Sequence, residues 1–296
     1  MAKRGGENSD EATSNLQYLA RSQNRIKILE TLVTGPHTTR DMEESTGTSR
    51  STLERITTEL EERDWAERTI EGEYVLTGTG ELVAEETVRY VGTLEAIESL
   101  GNAVNWLPTE ELTIGLQHFR DATVWRPEPN DVAAVDTRII NLMREGNTFA
   151  CLSNTAGTVG LETEMMDLFG EDQLQVENVV TPEELDIYRR DPKRAARWES
   201  YLEAGGNVYC YHGRIPCVLI LIDQTVFIGA RQLETFGLIE ISNDTVRSWA
   251  EELLTDYRDN SELVEPTDIS REQMSVASDQ QQIGRASCRE RVYCAV

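Results

Sequence analysis

Residues 22–76 read SQNRIKILETLVTGPHTTRDMEESTGTSRSTLERITTELEERDWAERTIEGEYVL, and this stretch decides the fold of the first part of the chain. Ser22 caps a helix whose apolar residues Ile26, Ile28, Leu29 and Leu32 precede a Gly35-Pro36 stop. Thr38 caps a second helix, TRDMEEST, which Gly47 ends. Thr48 or Ser49 caps a third, in which Leu53, Ile56 and Leu60 share one apolar stripe. Two short β-like pieces follow, Trp65 to Ile70 and Tyr74 to Leu76, with Glu71-Gly72 as the tip between them. Past Thr77-Gly78, a long amphipathic helix is expected from near Gly80 to about Asn105. Helix, helix-turn-helix, two-stranded wing, helix is the element order of a winged helix-turn-helix.

Beyond Trp106-Leu107-Pro108 the pattern becomes alternating strand and helix, which predicts a mixed α/β sheet domain. Strands are expected near Ala122–Arg126, Thr148–Leu152, Leu174–Val180, Val208–Tyr211, Val218–Ile222, Val226–Ala230 and Leu238–Ile241. Helices are expected over Val132–Arg144, Leu161–Leu168, Pro182–Tyr188, Pro192–Glu203 and Asp244–Arg258. Short turns join the last four strands, so that part of the sheet is expected to be antiparallel. The organisation reads as a disordered N-terminus (1–15), a winged helix-turn-helix (16–78), a connecting and dimerisation helix (79–108), an α/β effector domain (109–265) and a disordered tail (266–296).

In a helix-turn-helix the second helix of the pair enters the major groove. Taking Leu53 as the core direction, Ser51, Arg55 and Thr58 fall at about 160°, 200° and 140°, on the outward face. Arginine forks onto guanine, and hydroxyls reach bases or phosphates. Ser49, Arg50 and Thr52 share the first turn, Thr39 and Arg40 open the preceding helix, and Arg68 lies on the wing. These nine residues are the candidate contacts to double-stranded DNA. The competing reading is that the arginines are solvated or paired with neighbouring glutamates, since residues 1–90 hold eleven cations against eighteen acids.

LARSQNRIKILETLVTGPHTTRDMEESTGTSRSTLERITTELEERDWAER, with the later YVLTGTGELVAEE, resembles the winged helix of ArsR/MarR-like archaeal regulators, particularly those of haloarchaea. The second half is similar to the methanogenesis-regulator type of effector domain. That likeness rests on the block Thr181–Asp186, on YLEAGGNVYCYHGRIPCVLILIDQTVFIGA and on GLIEISNDTVRSWAEELLTDYR. The resemblance covers roughly residues 16–265 and implies a transcriptional regulator with a distant kinship to phospholipase-D-like folds. The chain has no paired His-x-Lys motifs, so that activity is not implied.

The chain has 296 residues, with 28 Lys+Arg against 53 Asp+Glu, a net charge of −25. Lys3, Lys27 and Lys193 are the only lysines. Apolar periodicity through most of the chain excludes a disordered acidic polymer. An acidic, hydrated surface suits a salt-loaded cytoplasm. The longest apolar run, Cys217 to Ile222, is far short of a membrane span, and no signal peptide is evident at the N-terminus. Such an excess of carboxylates repels itself unless screened. Folding is therefore expected to strengthen as KCl rises from about 0.1 M to about 2 M, where the Debye length is only a few ångströms. A circular-dichroism melting midpoint that stays flat or falls over that range would overturn the halophilic reading.

Residues 283–296, IGRASCRERVYCAV, carry three arginines and one glutamate after the polar run SVASDQQQ. They resemble a translated sequencing-adapter read; the alternative is a basic tail touching DNA. Setting them aside leaves Cys151, Cys210 and Cys217, consistent with reduced thiols. Cys210-x-His212-x4-Cys217 lacks the ligand number and paired spacing of structural zinc, so packed thiols are expected and no metal. His37 and His118 read as solvated or capping residues. No nucleophile elbow, P-loop or dinucleotide fingerprint occurs, and no catalytic residue or cofactor is expected. Ser153, Asn154 and Thr155 follow a strand, and Tyr211, His212 and Arg214 end another. Strand ends are where α/β sheets place ligands, which makes Ser153, Asn154, Tyr211, His212 and Arg214 candidates for an unknown small-molecule effector. The expectation is a cytoplasmic, homodimeric, DNA-binding regulator that is not an enzyme. The rival is a small-molecule-binding protein or enzyme whose winged helix serves protein contact.

Overall fold

A computed structural model describes residues 7–126, 131, 133–232 and 235–270. The helix start at Val132 and the tail 271–296, with its basic segment 283–296, lie outside the described residues. Two compact units divide between Glu95 and Ala96.

The first unit begins with α1 (Glu7–Ala20), so the expected disorder over 1–15 is corrected from residue 7 onward. Its polar stretch is one side of a helix that buries Tyr18 and Leu19 at its end. Tyr18 is the anchor. Its ring meets Trp65 edge-on at 5.9 Å, and the guanidinium groups of Arg25 and Arg63 lie 3.9 and 3.8 Å from its centroid. Helices α2 (Gln23–Val33), α3 (Thr39–Thr46) and α4 (Arg50–Glu61) follow. At α3 the Thr38 hydroxyl accepts from the Asp41 amide while the Asp41 carboxylate accepts from the Thr38 amide, a capping box. Gly47 ends α3 at φ 68°, a left-handed turn that costs glycine nothing and lets α4 leave in a new direction. Ile28, Leu29, Met42, Leu53, Ile56 and Leu60 form the fully buried centre of this unit.

Strands β1 (Ala66–Arg68) and β2 (Tyr74–Leu76) pair antiparallel with Glu67 opposite Val75, and His37 adds an isolated bridge to Tyr74. The strands are shorter than the sequence suggested because Thr69 to Glu73 close the tip, where Ile70 is fully exposed. Helix α5 (Gly78–Leu100) starts two residues earlier than expected and stops at Gly101, after which Gly101–Trp106 continues as a tight 3-10 turn.

The second unit takes more of the connector than the sequence reading gave it. Ala96, Leu100, Ala103, Trp106 and Leu107 are all buried in its core, so 96–108 is not a free linker. Its sheet has the order β10-β6-β5-β4-β7-β8-β9-β3. Parallel strands β4 (Thr148–Leu152), β5 (Gln175–Val180) and β6 (Asn207–Cys210) form one half. β7 (Val218–Ile222), β8 (Thr225–Gln232) and β9 (Thr235–Ile241) form an antiparallel meander on the other side of β4. β3 (Thr123–Trp125) and β10 (Glu262–Leu263) are the edges. The expected run of four antiparallel strands is corrected: two strands, β5 and β4, separate β6 from β7. A short loop in sequence therefore crosses the sheet.

Helices α6 (Ala134–Glu145), α7 (Val159–Gly170), α8 (Pro182–Arg190) and α9 (Pro192–Glu203) supply the core on one face, around Phe149, Leu168 and Trp198. Phe119 and α10 (Asp244–Asp259) supply the other, around Val246 and Trp249. β7, VLILI, is buried at every position because both its faces are covered. After β10 the chain turns helical again over 266–270 and buries Ile269, which corrects the start of the expected disordered tail.

Candidate functional site

Each unit offers one site. In the first unit α4 has two clean faces. Leu53, Ile56 and Leu60 are inaccessible to solvent, and Thr57 turns its hydroxyl back to the Leu53 carbonyl at 3.0 Å. Ser49, Arg50, Ser51, Arg55 and Thr58 are exposed and Thr52 half-buried. The three hydroxyls of the first turn cluster, with Ser49 Oγ 3.0 Å from Thr52 Oγ1 and 3.5 Å from Ser51 Oγ. The Thr58 hydroxyl is occupied by the Glu54 carbonyl at 2.9 Å.

The arginines have local partners. Arg50 pairs with Glu54 at 3.0 Å, Arg55 with Glu59 at 2.6 Å and Arg40 with Glu44 at 2.9 Å. Surface i,i+4 pairs of this kind stabilise by only about 0.3–0.5 kcal/mol, so each of the three arginines can leave its glutamate for a stronger partner. Glu59 also accepts from the nearly buried Arg25 at 2.9 Å, which keeps that carboxylate in place when Arg55 swings away. The opening of α3 is a different matter. Thr39 is half-buried, and the Asp41 carboxylate already sits at that helix terminus, held below its usual pKa by hydrogen bonds from Thr38. A phosphate there would meet a resident anion. Arg68 is exposed on β1, its guanidinium 5.7 Å from the Tyr74 ring.

In the second unit a cavity of about 320 Å³ opens where β4 and β5 end, under α6–α9. Residues 149, 151 and 153 alternate onto this face, so Phe149, Cys151 and Ser153 all line it. Asn178, in the middle of β5, is buried there, and its amide donates to the Met165 thioether at 3.8 Å, a weak acceptor. Thr181 caps α8, accepting from the Glu184 amide at 3.4 Å. The Glu184 side chain is almost wholly buried and accepts from Ser153 Oγ at 2.5 Å and from the Tyr188 hydroxyl. Burial pushes its pKa up to about 7, against the pull of those two hydrogen bonds. Burial likewise raises the Cys151 thiol far above its ordinary range, so it is not a ready nucleophile.

Behind this wall Arg194 donates to both carboxylate oxygens of Glu162, at 2.9 Å from Nε, and to the Gly157 carbonyl at 2.9 Å. Its guanidinium lies 4.9 Å from the Tyr188 centroid, and Tyr188 stacks on Trp198 at 4.4 Å. Burial raises the Glu162 pKa, partly offset by Arg194. The Trp198 indole N–H stands beside Glu162 and helps hold its charge, yet makes no hydrogen bond of normal geometry.

Of the five effector candidates, only Ser153 reaches the cavity. Asn154 turns its amide to the Ile215 carbonyl at 2.8 Å. Tyr211 packs on the opposite face of the sheet, edge-on to Tyr257 at 4.8 Å. His212 lies 3.3 Å from Glu262 and Arg214 is exposed, its carbonyl accepting from Tyr257. For Tyr211 the reason is strand alternation: Val208 and Cys210 face the core that holds the cavity, and Tyr209 and Tyr211 the opposite one. Cys210 and Cys217 lie in opposite cores, and no group of metal-binding side chains occurs among the described residues. Glu184, Tyr188, Glu162 and Arg194 were missed by sequence reasoning. A buried asparagine inside the alternation Val176-x-Asn178-x-Val180 was the available signal.

Two domain families match the chain without overlapping. Residues 13–99 match the HVO_A0261 N-terminal domain, and residues 132–260 match the middle domain of the methanogenesis regulatory protein FilR1. The chain is thus similar to one family in its first part and to the other in its second, in line with the resemblance to an archaeal regulator. No curated protein matches closely. Among solved structures, TrmBL2, an archaeal chromatin protein described as showing a novel mode of DNA binding, is 14% identical, with a TM-score of 0.40. The match covers 86% of this chain and 99% of that one. Nuc, a phospholipase D family member from Salmonella typhimurium, is 11% identical over 49% of this chain and 98% of its own, at 0.39. At such scores neither likeness says what this chain binds. Among the described residues no helix is long and apolar enough to cross a membrane.

Proposed function

We propose that this chain is a DNA-binding transcriptional regulator in which the first unit is a winged helix-turn-helix and α4 reads the major groove. The two-faced character of α4 carries the reading, with a solvent-free core stripe opposite an exposed face of Arg50, Ser51 and Arg55. The regulator family of the second unit supports it. Ser49, Thr52 and Thr58 flank the contact, Arg68 meets the backbone beside it, and Thr39 and Arg40 contribute least because of Asp41. The second unit regulates this activity; the chain's three histidines stand in His37-Thr-Thr, His118-Phe-Arg and His212-Gly-Arg, none of them the His-x-Lys of phospholipase-D-type catalysis.

Footprinting on genomic fragments at molar KCl tests the reading. Arg55→Ala is expected to weaken specific binding by about 1–3 kcal/mol, the value of a bidentate base contact. Unchanged affinity for both Arg50→Ala and Arg55→Ala would sink it. The cavity of ligand size favours the rival reading, a ligand-binding protein that uses the first unit for protein contact, and absence of any protected DNA would select it.

The same reading makes the protein a homodimer through α5. The sequence stripe Val83, Val88, Val91, Leu94, Ile97 and Leu100 is only partly free, because Leu100 is buried and Val83 packs on the first unit's core. Leu82, Tyr90 and Leu94 are exposed large apolar groups at 67%, 58% and 43%. Two-fold pairing there would set two α4 helices on half-sites about 34–36 Å apart. Light scattering in high salt should give a dimer mass that Leu94→Glu halves. A monomeric wild-type chain at micromolar concentration contradicts this.

A further inference from the structure

We propose that the cavity at the ends of β4 and β5 binds a small apolar amine, its hydrocarbon body held by the sheet and α6 and its cationic nitrogen held by Glu184. This deepens the reading of the second unit as the regulated half, on which its consequence for DNA rests; the binding itself does not depend on it. At about 320 Å³ the cavity is of ligand size and no larger. Val135, Ile139, Phe149, Val218 and Ile220 make most of its wall apolar.

The polar wall is one-sided. Glu184, Glu162 and Asp136 line the cavity, and no arginine or lysine does. Asp136 is held by the Thr158 hydroxyl at 2.6 Å, and Glu162 is satisfied by Arg194. Glu184 is the buried carboxyl with no ion pair of its own: Asp136 is half-exposed, and Arg194 is paired with Glu162 and reaches Glu184 only across space. Each of its oxygens accepts one hydroxyl hydrogen bond and keeps a lone pair for a further donor. An anionic ligand would add a fourth negative group to this enclosure. A cation supplies the partner that a buried carboxylate otherwise lacks.

The titration of Glu184 agrees. Its pKa of about 7 means that near neutral pH it holds a proton part of the time. The groups facing it are Cys151 from β4 and Ser153 just after it, Tyr188 from α8, Glu162 from α7 and Arg194 from α9. An entering ammonium favours the ionised carboxylate, so binding releases that proton and strengthens as pH rises through 7.

Isothermal titration of the full chain in high KCl decides it, with 1-naphthylmethylamine, 1-naphthoate and 1-naphthalenemethanol as probes at pH 6 and pH 8. The amine is expected to bind at least about tenfold more tightly than either analogue, as a charge-assisted contact to a buried carboxylate gives, with a larger margin at pH 8. Glu184→Gln should remove the margin. Equal or better binding of the naphthoate, binding of none of the three, or an undiminished amine preference in Glu184→Gln overturns the proposal. If that variant does not fold, the wild-type series at two pH values is decisive by itself. Amine binding by a chain that protects no DNA would leave this proposal standing and sink the regulator reading; DNA protection without amine binding would do the reverse.

Discussion

Gly80→Ala is expected to destabilise the first unit by about 3 kcal/mol, at the upper end of what overpacking costs. A Cβ at this position would lie 1.7 Å from the Trp65 carbonyl oxygen and 2.6 Å from its carbon. Both are backbone atoms, so no side chain can swing aside. The backbone is pinned there as well. The Trp65 carbonyl accepts from the Thr77 amide at 3.1 Å, the Thr77 hydroxyl donates to the Asp64 carbonyl at 2.5 Å, and Gly80 donates to that hydroxyl at 3.0 Å. These bonds fasten the start of α5 to the chain leaving α4, so a shift at Gly80 disturbs the support of the proposed reading helix. Gly78 is the control, since a Cβ there meets nothing within 4 Å and alanine gains helix propensity. Urea melts followed by circular dichroism should separate the two variants. If Gly80→Ala shifts no further than Gly78→Ala, the close approach is not what fixes this junction.

Gly80 shows where sequence reading stops. As a glycine inside a helical pattern it signals some constraint, but not which backbone it faces. Local periodicity sufficed for α4, because angles around one helix follow from spacing alone, and Leu53, Ile56 and Leu60 are buried as their positions require. It also placed most strands of the sheet within a residue or two. It failed where partners are distant along the chain. α1 looked disordered because its polar residues outnumber the pair, Tyr18 and Leu19, that anchors it. β6 and β7 are neighbours in sequence and strangers in the sheet, and Tyr211 lies on the core face away from the cavity while His212 and Arg214 are exposed. The cavity joins Ser153 to Glu184 across 31 residues and Glu162 to Arg194 across 32, separations that no spacing rule reads. Glu184 stands three residues after Thr181, the spacing of a capping box, and only burial shows that its carboxyl turns inward instead.

Arg194→Met should produce the largest loss in the second unit, about 3–5 kcal/mol at pH 8, the cost of leaving one member of a buried ion pair alone. The Arg194 side chain is 11% exposed and that of Glu162 5%, so water cannot replace the lost partner. The carboxyl can escape part of the cost by holding a proton, and this fixes the pH dependence. Its folded pKa already stands above the ordinary 4.5 because of burial, and removing Arg194 takes away the main influence holding it down. A carboxyl whose folded pKa is raised binds more protons folded than unfolded, so its contribution is intact below about 4.5 and is lost as pH rises through the folded value. The variant should therefore be close to wild type near pH 4.5 and increasingly weaker toward pH 8. Replacing both partners, as Glu162→Leu with Arg194→Met, leaves no charge behind and should recover most of the loss. Denaturant melts of wild type, single and double variants at both pH values, in constant KCl, provide the check. A double variant as unstable as Arg194→Met would mean that the arginine acts by packing on Tyr188 and not by pairing with the Glu162 carboxylate.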